Sequence, residues 1–329
     1  MVKKHNILFG GINMKRIITS FLALTLLIVL GACSLDKPGS DSDDEATDDN
    51  ATTEEASELK VGFSISTLNN PFFVDLRNGA EDAAEAEDID IVVADAQDDA
   101  SKQINDIEDL LQQNIDVLIV NPTEGESVVA GIEAANNADI PVITVDRSAA
   151  SGEIVTHIAS DNVRGGEMAA EHIEEILGAD GGKLIELEGI SGAASAIERG
   201  EGFHNIIDDL TEFDIVASQT ANFDRTEGLS VTENILQGNK DVQAIFAHND
   251  EMALGAVEAL ESQGMLDDVI VVGFDATDAA LVAVEDDRME ATIAQQPDLI
   301  SEAAIQAAID IYNGEDLEDF IPVDLELIK

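Results

Sequence analysis

Short apolar runs alternate with longer amphipathic stretches along most of the chain after residue 59. Runs rich in β-branched residues, each bounded by polar or turn-forming residues, have the length of buried strands. An early series of four predicted strands covers residues 61–66, 89–94, 116–120 and 140–145, and a later series covers 183–187, 214–218, 242–247 and 269–274. The pattern therefore predicts two consecutive sets of strand–helix units.

The stretches between these strands carry the periodicity of amphipathic helices. In residues 101–114 the apolar positions share one helical face, and in residues 166–177 a second apolar face includes His172, which we interpret as a core residue. Alternating strands and helices favour parallel sheets covered by helices on both faces. Two sets in about 270 residues predict an α/β fold with two similar doubly wound lobes, although periodicity alone leaves a closed barrel of eight units open.

The first 33 residues differ from the rest of the chain, because they contain no acidic residue. Lys15-Arg16 precede an apolar run over residues 17–30, which is shorter than the ~20 residues of a membrane span and is typical of a signal peptide. The run ends in Leu30-Gly31-Ala32-Cys33, which resembles a bacterial lipobox. We expect residues 1–32 to be a signal peptide, with Met14 as an alternative start, and Cys33 to be lipidated; the alternative is an ordinary signal peptide with a chance cysteine.

Residues 33–58 follow as an acidic tether, in which like charges favour an extended chain. The whole chain has 69 acidic and 16 basic residues and a formal charge of −53. This balance argues against nucleic-acid binding, which needs a basic face. The single cysteine excludes a disulfide framework and a thiolate zinc cluster. The acidity also predicts a surface adapted to high salt, as in halophilic bacteria, unless the acids serve only solubility.

Polar residues follow several predicted strands at their carboxyl ends, where open α/β sheets bind ligands. Asn70 lies in the loop after the first strand, Asp146-Arg147 follow the fourth, and Asn249 and Asp275 follow two strands of the second series. Each also has a structural interpretation: Asn70 and Asp275 as helix N-caps, and Asp146-Arg147 as an ion pair. Phe72 and Phe73 are equally compatible with a core position. Together, these residues predict a binding cleft between the lobes.

The mixture of residue types in this cleft favours a sugar ligand. Carboxylate and amide oxygens accept hydrogen bonds from hydroxyls, guanidinium groups donate to them, and aromatic rings cover apolar sugar faces. The motifs HExxH, GxSxG and GxxxxGK[ST] are absent from the sequence, and the five histidines are scattered. We therefore expect a binding protein and no enzyme, with neither a cofactor nor a metal.

From residue 59 onward the chain resembles the bacterial ribose-binding proteins, sugar receptors of ABC importers in the periplasmic binding protein type I family. The resemblance covers about 270 residues. It is carried by these segments: Ser66-Thr67-Leu68-Asn69-Asn70-Pro71-Phe72-Phe73, Asp146-Arg147, Glu198-Arg199-Gly200-Glu201-Gly202-Phe203, Phe223-Asp224-Arg225, Asn249-Asp250-Glu251-Met252, Gly273-Phe274-Asp275 and Ala291-Thr292-Ile293-Ala294-Gln295.

The resemblance implies which side chains contact the sugar. Phe72, Phe73 and Phe223 would enclose the pyranose ring. The hydrogen-bonding set would be Ser66, Asn70, Asp146, Arg147, Arg199, Asn249, Asp275 and Gln295. The chain departs from the family pattern beside these positions, with His248 in place of glutamine, Gln296 in place of an apolar residue and Ile197 in place of arginine.

The same resemblance implies an architecture and a set of partners. An N-terminal lobe (59–160 plus 296–324) and a C-terminal lobe (161–295 plus 325–329) would be joined by a three-segment hinge. The implied ligand is D-ribose, which the receptor delivers to an ABC permease. The ATPase of that importer would be an indirect partner, and a lipid would hold the receptor on the outer side of the cell membrane. The alternatives are a receptor for allose or another monosaccharide, and a sugar-sensing co-receptor. A transcriptional regulator of this fold would begin with a basic helix-turn-helix, which this sequence does not show.

Overall fold

The computed structural model describes residues 59–329, and every structural statement below concerns this part of the chain. The predicted signal peptide, Cys33 and the acidic tether lie outside the described residues. Among the described helices, none combines the length and apolar character that a membrane crossing requires.

Strands and helices alternate along the described chain. The strands are β1 (Lys60–Ile65), β2 (Asp90–Asp95), β3 (Val117–Val120), β4 (Val142–Val145), β5 (Thr156–Ser160), β6 (Gly182–Glu188), β7 (Phe213–Thr220), β8 (Ala244–Ala247), β9 (Ile270–Asp275), β10 (Ala291–Ala294), β11 (Phe320–Val323) and β12 (Glu326–Ile328). The helices are α1 (Pro71–Ala86), α2 (Ala100–Leu111), α3 (Val129–Asn137), α4 (Asn162–Leu177), α5 (Ala194–Ile207), α6 (Arg225–Leu236), α7 (Asp250–Gln263), α8 (Asp278–Glu285) and α9 (Pro297–Tyr312).

The strands form two open six-stranded sheets, so the fold is not a barrel. Their orders are β11-β5-β4-β3-β1-β2 and β12-β10-β9-β8-β6-β7. Neighbouring strands are parallel, except that β12 pairs antiparallel with β10 at the edge of the second sheet. The predicted pair of doubly wound lobes is confirmed, with this antiparallel edge as the one exception to parallel pairing.

Each sheet is buried on both faces, which explains the continuous apolar character of its strands. In β3, Val117 and Ile119 contribute to one core, and Leu118 and Val120 contribute to the core on the opposite face. The same two-residue alternation divides β8 between two cores of the second sheet. His172 is buried on α4 with 4% of its surface exposed, which confirms its interpretation as a core residue.

The apolar pattern does not predict the strands β5, β10, β11 and β12. β5 contains threonine, histidine and serine, and β11 and β12 each span at most four residues at a sheet edge. β4 begins at Val142, two residues later than predicted, because the preceding Pro141 has no backbone N–H for the ladder. Elsewhere the predicted strand limits differ from the observed ones by one or two residues.

The chain passes three times between the two sheets. It leaves the first sheet after β5, returns after β10 through α9 to β11, and leaves again for β12. Two of these passages are tied together, because Gln296 Nε2 donates to the carbonyl oxygen of Asp324 at 2.9 Å.

A backbone hydrogen bond also joins the loops above the sheets. The N–H of Gly125, in the loop between β3 and α3, donates at 3.2 Å to the carbonyl of Gly192, in the loop between β6 and α5. The carboxyl ends of the two sheets therefore face each other at close range.

Candidate functional site: a polar cavity between the sheets

A cavity of about 200 Å³ lies where the carboxyl ends of the two sheets face each other. Its lining residues are Asn70, Phe72, Phe73, Asp146, Arg147, Ser195, Arg199, Phe223, Asn249, Asp275 and Gln295. Every residue of the predicted sugar-contacting set lies in this wall except Ser66. Ser66 is buried at the end of β1 without lining the cavity, and its hydroxyl has no hydrogen-bond partner.

The entry of α1 positions Asn70, Phe72 and Phe73. The Asn70 side chain accepts a hydrogen bond from the Phe72 N–H at 3.0 Å and so caps the helix, with Pro71 at its first position. Phe72 and Phe73 meet edge to face with ring centroids 5.2 Å apart, and both belong to the core of the first sheet. The structural interpretations of Asn70 as an N-cap and of Phe72 and Phe73 as core residues are therefore confirmed, and all three residues also line the cavity.

Asp146 and Arg147 lie directly after β4, with Asp146 in the left-handed region at φ 61°. Both are 2% exposed, and Arg147 Nε lies 3.7 Å from Asp146 Oδ2, so the predicted ion pair is present. The amide of Asn121 donates to that same carboxylate oxygen at 3.3 Å, a contact that sequence reasoning missed. Asp146 Oδ1 and Arg147 Nε remain without a hydrogen-bond partner, although both are buried.

Arg199 and Asp275 form the corresponding pair on the second sheet, 3.6 Å apart. Arg199 Nη1 donates to the carbonyl of His248 at 2.6 Å, and its Nε donates to Asn162 Oδ1 at 2.9 Å. Gln295 Nε2 donates to Asp275 Oδ1 at 2.9 Å, while Gln295 Oε1 is buried without a partner. Asp275 does not serve as a helix N-cap, because Thr277 precedes α8.

Phe223 closes the cavity from the second sheet, with a backbone φ of 59° that is rare for a bulky residue. Asn249 caps α7 by accepting from the Met252 N–H at 3.0 Å, and its amide donates to the Phe223 carbonyl at 3.3 Å. The Phe223 ring lies directly on Gly189, where an added Cβ would fall 2.0 Å from the ring. A glycine is therefore required at position 189, which the sequence pattern did not reveal.

Burial dominates the electrostatics of the cavity. It raises the pKa of Asp275 to about 7, although Arg199 and the hydrogen bond from Gln295 oppose this shift. Burial likewise lowers the pKa values of Arg147 and Arg199, while the neighbouring carboxylates of Asp146 and Asp275 counteract this effect. Charged groups of both signs thus lie together in the buried wall of the cavity.

No group of three or more histidine, cysteine, aspartate or glutamate side chains in residues 59–329 is arranged to hold a metal ion. The wall instead offers aromatic faces between hydrogen-bond donors and acceptors, an arrangement suited to a neutral ligand with many hydroxyls.

Ser195 is the lining residue that sequence reasoning missed. It is 2% exposed and occupies the second position of α5, four residues before Arg199. Its position one helical turn from a predicted contact residue was the available signal, because residues four apart share a helical face.

Comparison with known proteins places this geometry among sugar receptors. The chain is 47% identical over 314 residues to the ribose import binding protein of Bacillus subtilis, covering 95% of this chain and 99% of that relative. It is 50% identical over 269 residues to the ribose import binding protein of Haemophilus influenzae, covering 82% and 91%. A solved ABC transporter solute binding protein from Bacillus halodurans, with bound myo-inositol, is similar at a TM-score of 0.79 and 33% identity, covering 84% of this chain and 96% of that one.

The periplasmic binding protein domain matches residues 61–316, which include both sheets apart from the first residue of β1 and the strands β11 and β12. Since this match spans well over half of the chain, and the relatives above are covered almost completely, the chain belongs to the periplasmic binding protein family.

Proposed function

We propose that this protein is the extracytoplasmic receptor of an ABC sugar importer, which binds D-ribose in the cavity between the two sheets and delivers it to the permease. The observation that carries the proposal is the set of buried polar atoms in the cavity wall that lack partners: Asp146 Oδ1, Arg147 Nε and Gln295 Oε1. A buried polar atom without a partner costs free energy, so these positions favour a ligand that supplies the missing hydrogen bonds. The names of the two relatives favour ribose as that ligand.

In the proposed binding mode, aromatic side chains and polar side chains of the wall contact different parts of the ligand. Phe72, Phe73 and Phe223 cover the apolar faces of the sugar ring, while the carboxylates, amides and guanidinium groups of the wall pair with its hydroxyls. Ser66 is buried outside the wall, so we assign it a supporting position next to Asn121, whose Oδ1 accepts from the Ser66 N–H at 3.1 Å.

The two sheets contribute to the site from opposite sides, which gives binding a conformational consequence. We assign residues 59–160 and 296–324 to one lobe and residues 161–295 and 325–329 to the other, with the three passages as the hinge. A sugar contacts both walls only when the lobes are closed, so binding favours the closed state. The permease would recognise the surface that the closed lobes form.

The proposal extends to the N-terminal segment. A lipid on Cys33 and the acidic residues 34–58 would hold the receptor outside the cell membrane and raise its effective concentration near the permease. In this form the protein has no catalytic role; its work is capture and delivery.

Isothermal titration calorimetry of the sugar-free protein tests the proposal. Calorimetry suits this chain because fluorescence would be a weak reporter of binding: the sequence contains no tryptophan and only one tyrosine. We expect D-ribose to bind more tightly than D-allose, D-xylose, L-arabinose, D-glucose and myo-inositol at matched salt. Tighter binding of a hexose would transfer the assignment to that sugar, and no binding of any compound by folded protein would contradict the proposal.

Growth on ribose separates transport from sensing. A strain that lacks the receptor, or one that lacks the neighbouring permease, should lose growth at low ribose concentration if the protein serves import. Normal growth of the receptor-deficient strain, with loss of a ribose response, would favour the sensing alternative.

A further inference from the structure

A second cavity, of about 530 Å³, lies behind the sugar cavity on the second sheet. Glu186, Glu188, His204 and His248 line it, together with the loop 189–192 and small residues of α5. The two cavities share one wall, because Asn249 lines the first and the adjacent His248 lines the second. Along α5, Arg199 likewise faces the first cavity and Gly200 the second.

A buried carboxylate organises the wall of this second cavity. Glu186 is 1% exposed, and its Oε1 lies 3.0 Å from Nε2 of His248, which is equally buried. Its Oε2 lies 3.2 Å from Nε2 of His204 and accepts from the Ser218 hydroxyl at 2.7 Å. Gly200 packs closely on the pair, since a Cβ there would lie 3.3 Å from His248 Cε1.

The neighbours of His248 define where its proton lies. The N–H of Gly189 points at His248 Nδ1 over 3.4 Å, so this nitrogen accepts and the proton is on Nε2, which donates to Glu186. The imidazole ring also packs against Phe246, with centroids 5.2 Å apart. A second proton on the ring, at Nδ1, would point at the N–H of Gly189, so that two hydrogen-bond donors would face each other.

The main chain of His248 and the partner residue Gly189 each support a predicted sugar contact. The carbonyl of His248 accepts the 2.6 Å hydrogen bond from Arg199, and Gly189 forms the surface on which the Phe223 ring lies. One buried side chain therefore fixes the backbone beneath a guanidinium group and an aromatic ring of the cavity.

We propose that His248, held by Glu186, is a positioning residue for sugar binding: it fixes Arg199 and Phe223 from behind, and a second proton on its ring weakens binding. The inference rests on the proposed function, because it concerns the affinity of the same cavity.

The other charged groups around His248 determine how the acid effect arises. Glu186 and Glu188 face it from β6, Arg199 and His204 from α5, and Asp208 bonds the far side of His204. Burial would raise the pKa of Glu186, but the hydrogen bonds from His248 and Ser218, together with the nearby His204, lower it below its ordinary value. Glu186 therefore stays ionised in mild acid and keeps accepting from the His248 ring.

The test compares D-ribose affinity in wild type, His248→Gln and His248→Ala by calorimetry from pH 5 to pH 8 at fixed salt, with His204→Gln as the matched control. A glutamine can donate to Glu186 and accept from Gly189 without titrating. We expect His248→Gln to bind within about threefold of wild type at pH 7.5, and His248→Ala to bind about tenfold more weakly, the loss of one charge-assisted contact.

The pH profile provides the decisive readout. Asp275 titrates in all variants, so the difference between the profiles isolates His248. We expect wild type and His204→Gln to lose affinity towards pH 5 more steeply than His248→Gln. Parallel profiles for wild type and His248→Gln, or wild-type affinity in His248→Ala, overturn the inference while the proposed function stands.

Two further outcomes are separable from these. If His248→Ala does not fold, the pH comparison of wild type with His248→Gln decides alone. If folded wild type binds none of the sugars in the panel, the proposed function is wrong, and this inference falls with it.

Discussion

The guanidinium group of Arg147 lies over the ring of Phe223, with Cζ 5.2 Å from the ring centroid. Arg147 follows a strand of the first sheet and Phe223 a strand of the second, so this contact spans the cavity. The same guanidinium lies 4.9 Å from the Phe73 ring, which places it between two of the three aromatic walls. The cationic and aromatic parts of the proposed sugar site are thus one packed unit.

Phe223→Leu should weaken ribose binding by about tenfold, because leucine retains apolar volume but loses the flat face for the sugar and for Arg147. Calorimetry at neutral pH measures the change. Phe213→Leu is the matched control, since Phe213 is also buried but lies at the start of β7, outside the cavity. Equal affinities of the two variants would show that Phe223 has only a packing role.

Asp275→Asn should stabilise the sugar-free protein near pH 7.5 and weaken ribose binding. Burial raises the folded-state pKa of Asp275 to about 7, above its unfolded value near 4. The contribution of this group to stability is therefore fully present below about pH 4 and is lost as pH rises towards 7. Asparagine does not titrate, so the variant should lack this loss.

Urea denaturation at constant salt, without sugar, measures this difference. The free energies of unfolding of wild type and Asp275→Asn should converge near pH 4 and separate as the pH rises. A constant difference across the range would mean that Asp275 is not the titrating group. Asp275→Ala should bind ribose more weakly than Asp275→Asn, which retains one acceptor.

Arg199→Lys should weaken ribose binding by about tenfold or more. The planar guanidinium bonds Asn162 and the His248 carbonyl at once and stacks 3.7 Å from the Phe274 ring centroid, whereas an ammonium group cannot reproduce this geometry. Arg164→Lys provides the control, because Arg164 pairs with Glu167 and Glu171 on the exposed side of α4. An unchanged ribose affinity in Arg199→Lys would remove Arg199 from the site.

Cys33→Ser should abolish lipidation. We expect the receptor to appear in the medium or to remain as an uncleaved precursor, as judged by cell fractionation and the mass of its N-terminal peptide. Normal processing with unchanged membrane attachment would contradict the lipobox interpretation and leave the sugar site unaffected.

The melting temperature should rise with NaCl or KCl into the molar range. From Leu59 onward, acidic residues outnumber basic ones by 59 to 11, and their repulsion disfavours the compact state. Salt shortens the range of this repulsion from ~10 Å at 0.1 M to ~3 Å at 1 M. Ribose affinity should change less, because the ligand is neutral; a flat melting series would favour solubility as the role of the acids.

The sequence predicted those elements whose apolar residues follow a simple local pattern, either a continuous run in a strand or one face of a helix. The buried parallel strands and the apolar faces of α2 and α4 belong to this class. β5, β10, β11 and β12 do not, because polar residues or proline shorten their apolar runs and their pairing is decided by distant strands. For the site, strand ends and family motifs identified the residues that meet in the cavity.

The remaining features of the site depend on tertiary contacts that no local pattern encodes. Ser195 reaches the cavity through the orientation of α5, and Ser66 does not line it although it lies only four residues before Asn70 in the chain. Glu186 and His248 are 62 positions apart and meet only because β6 and β8 are neighbours in the sheet. A glycine is required at position 189 because the ring of Phe223, which follows β7, lies on it.

The hydrogen bond between Gly125 and Gly192 involves main-chain atoms alone. A contact of this kind is indifferent to side-chain identity, so it does not change when residues of the cavity wall are exchanged. Under the proposed closure of the lobes, closing and the recognition of a particular sugar can evolve separately, because mutations in the cavity wall leave this hydrogen bond in place. For protein engineers, this makes the scaffold a suitable starting point for sensors of new sugars, in which the wall is varied and the closing motion is retained.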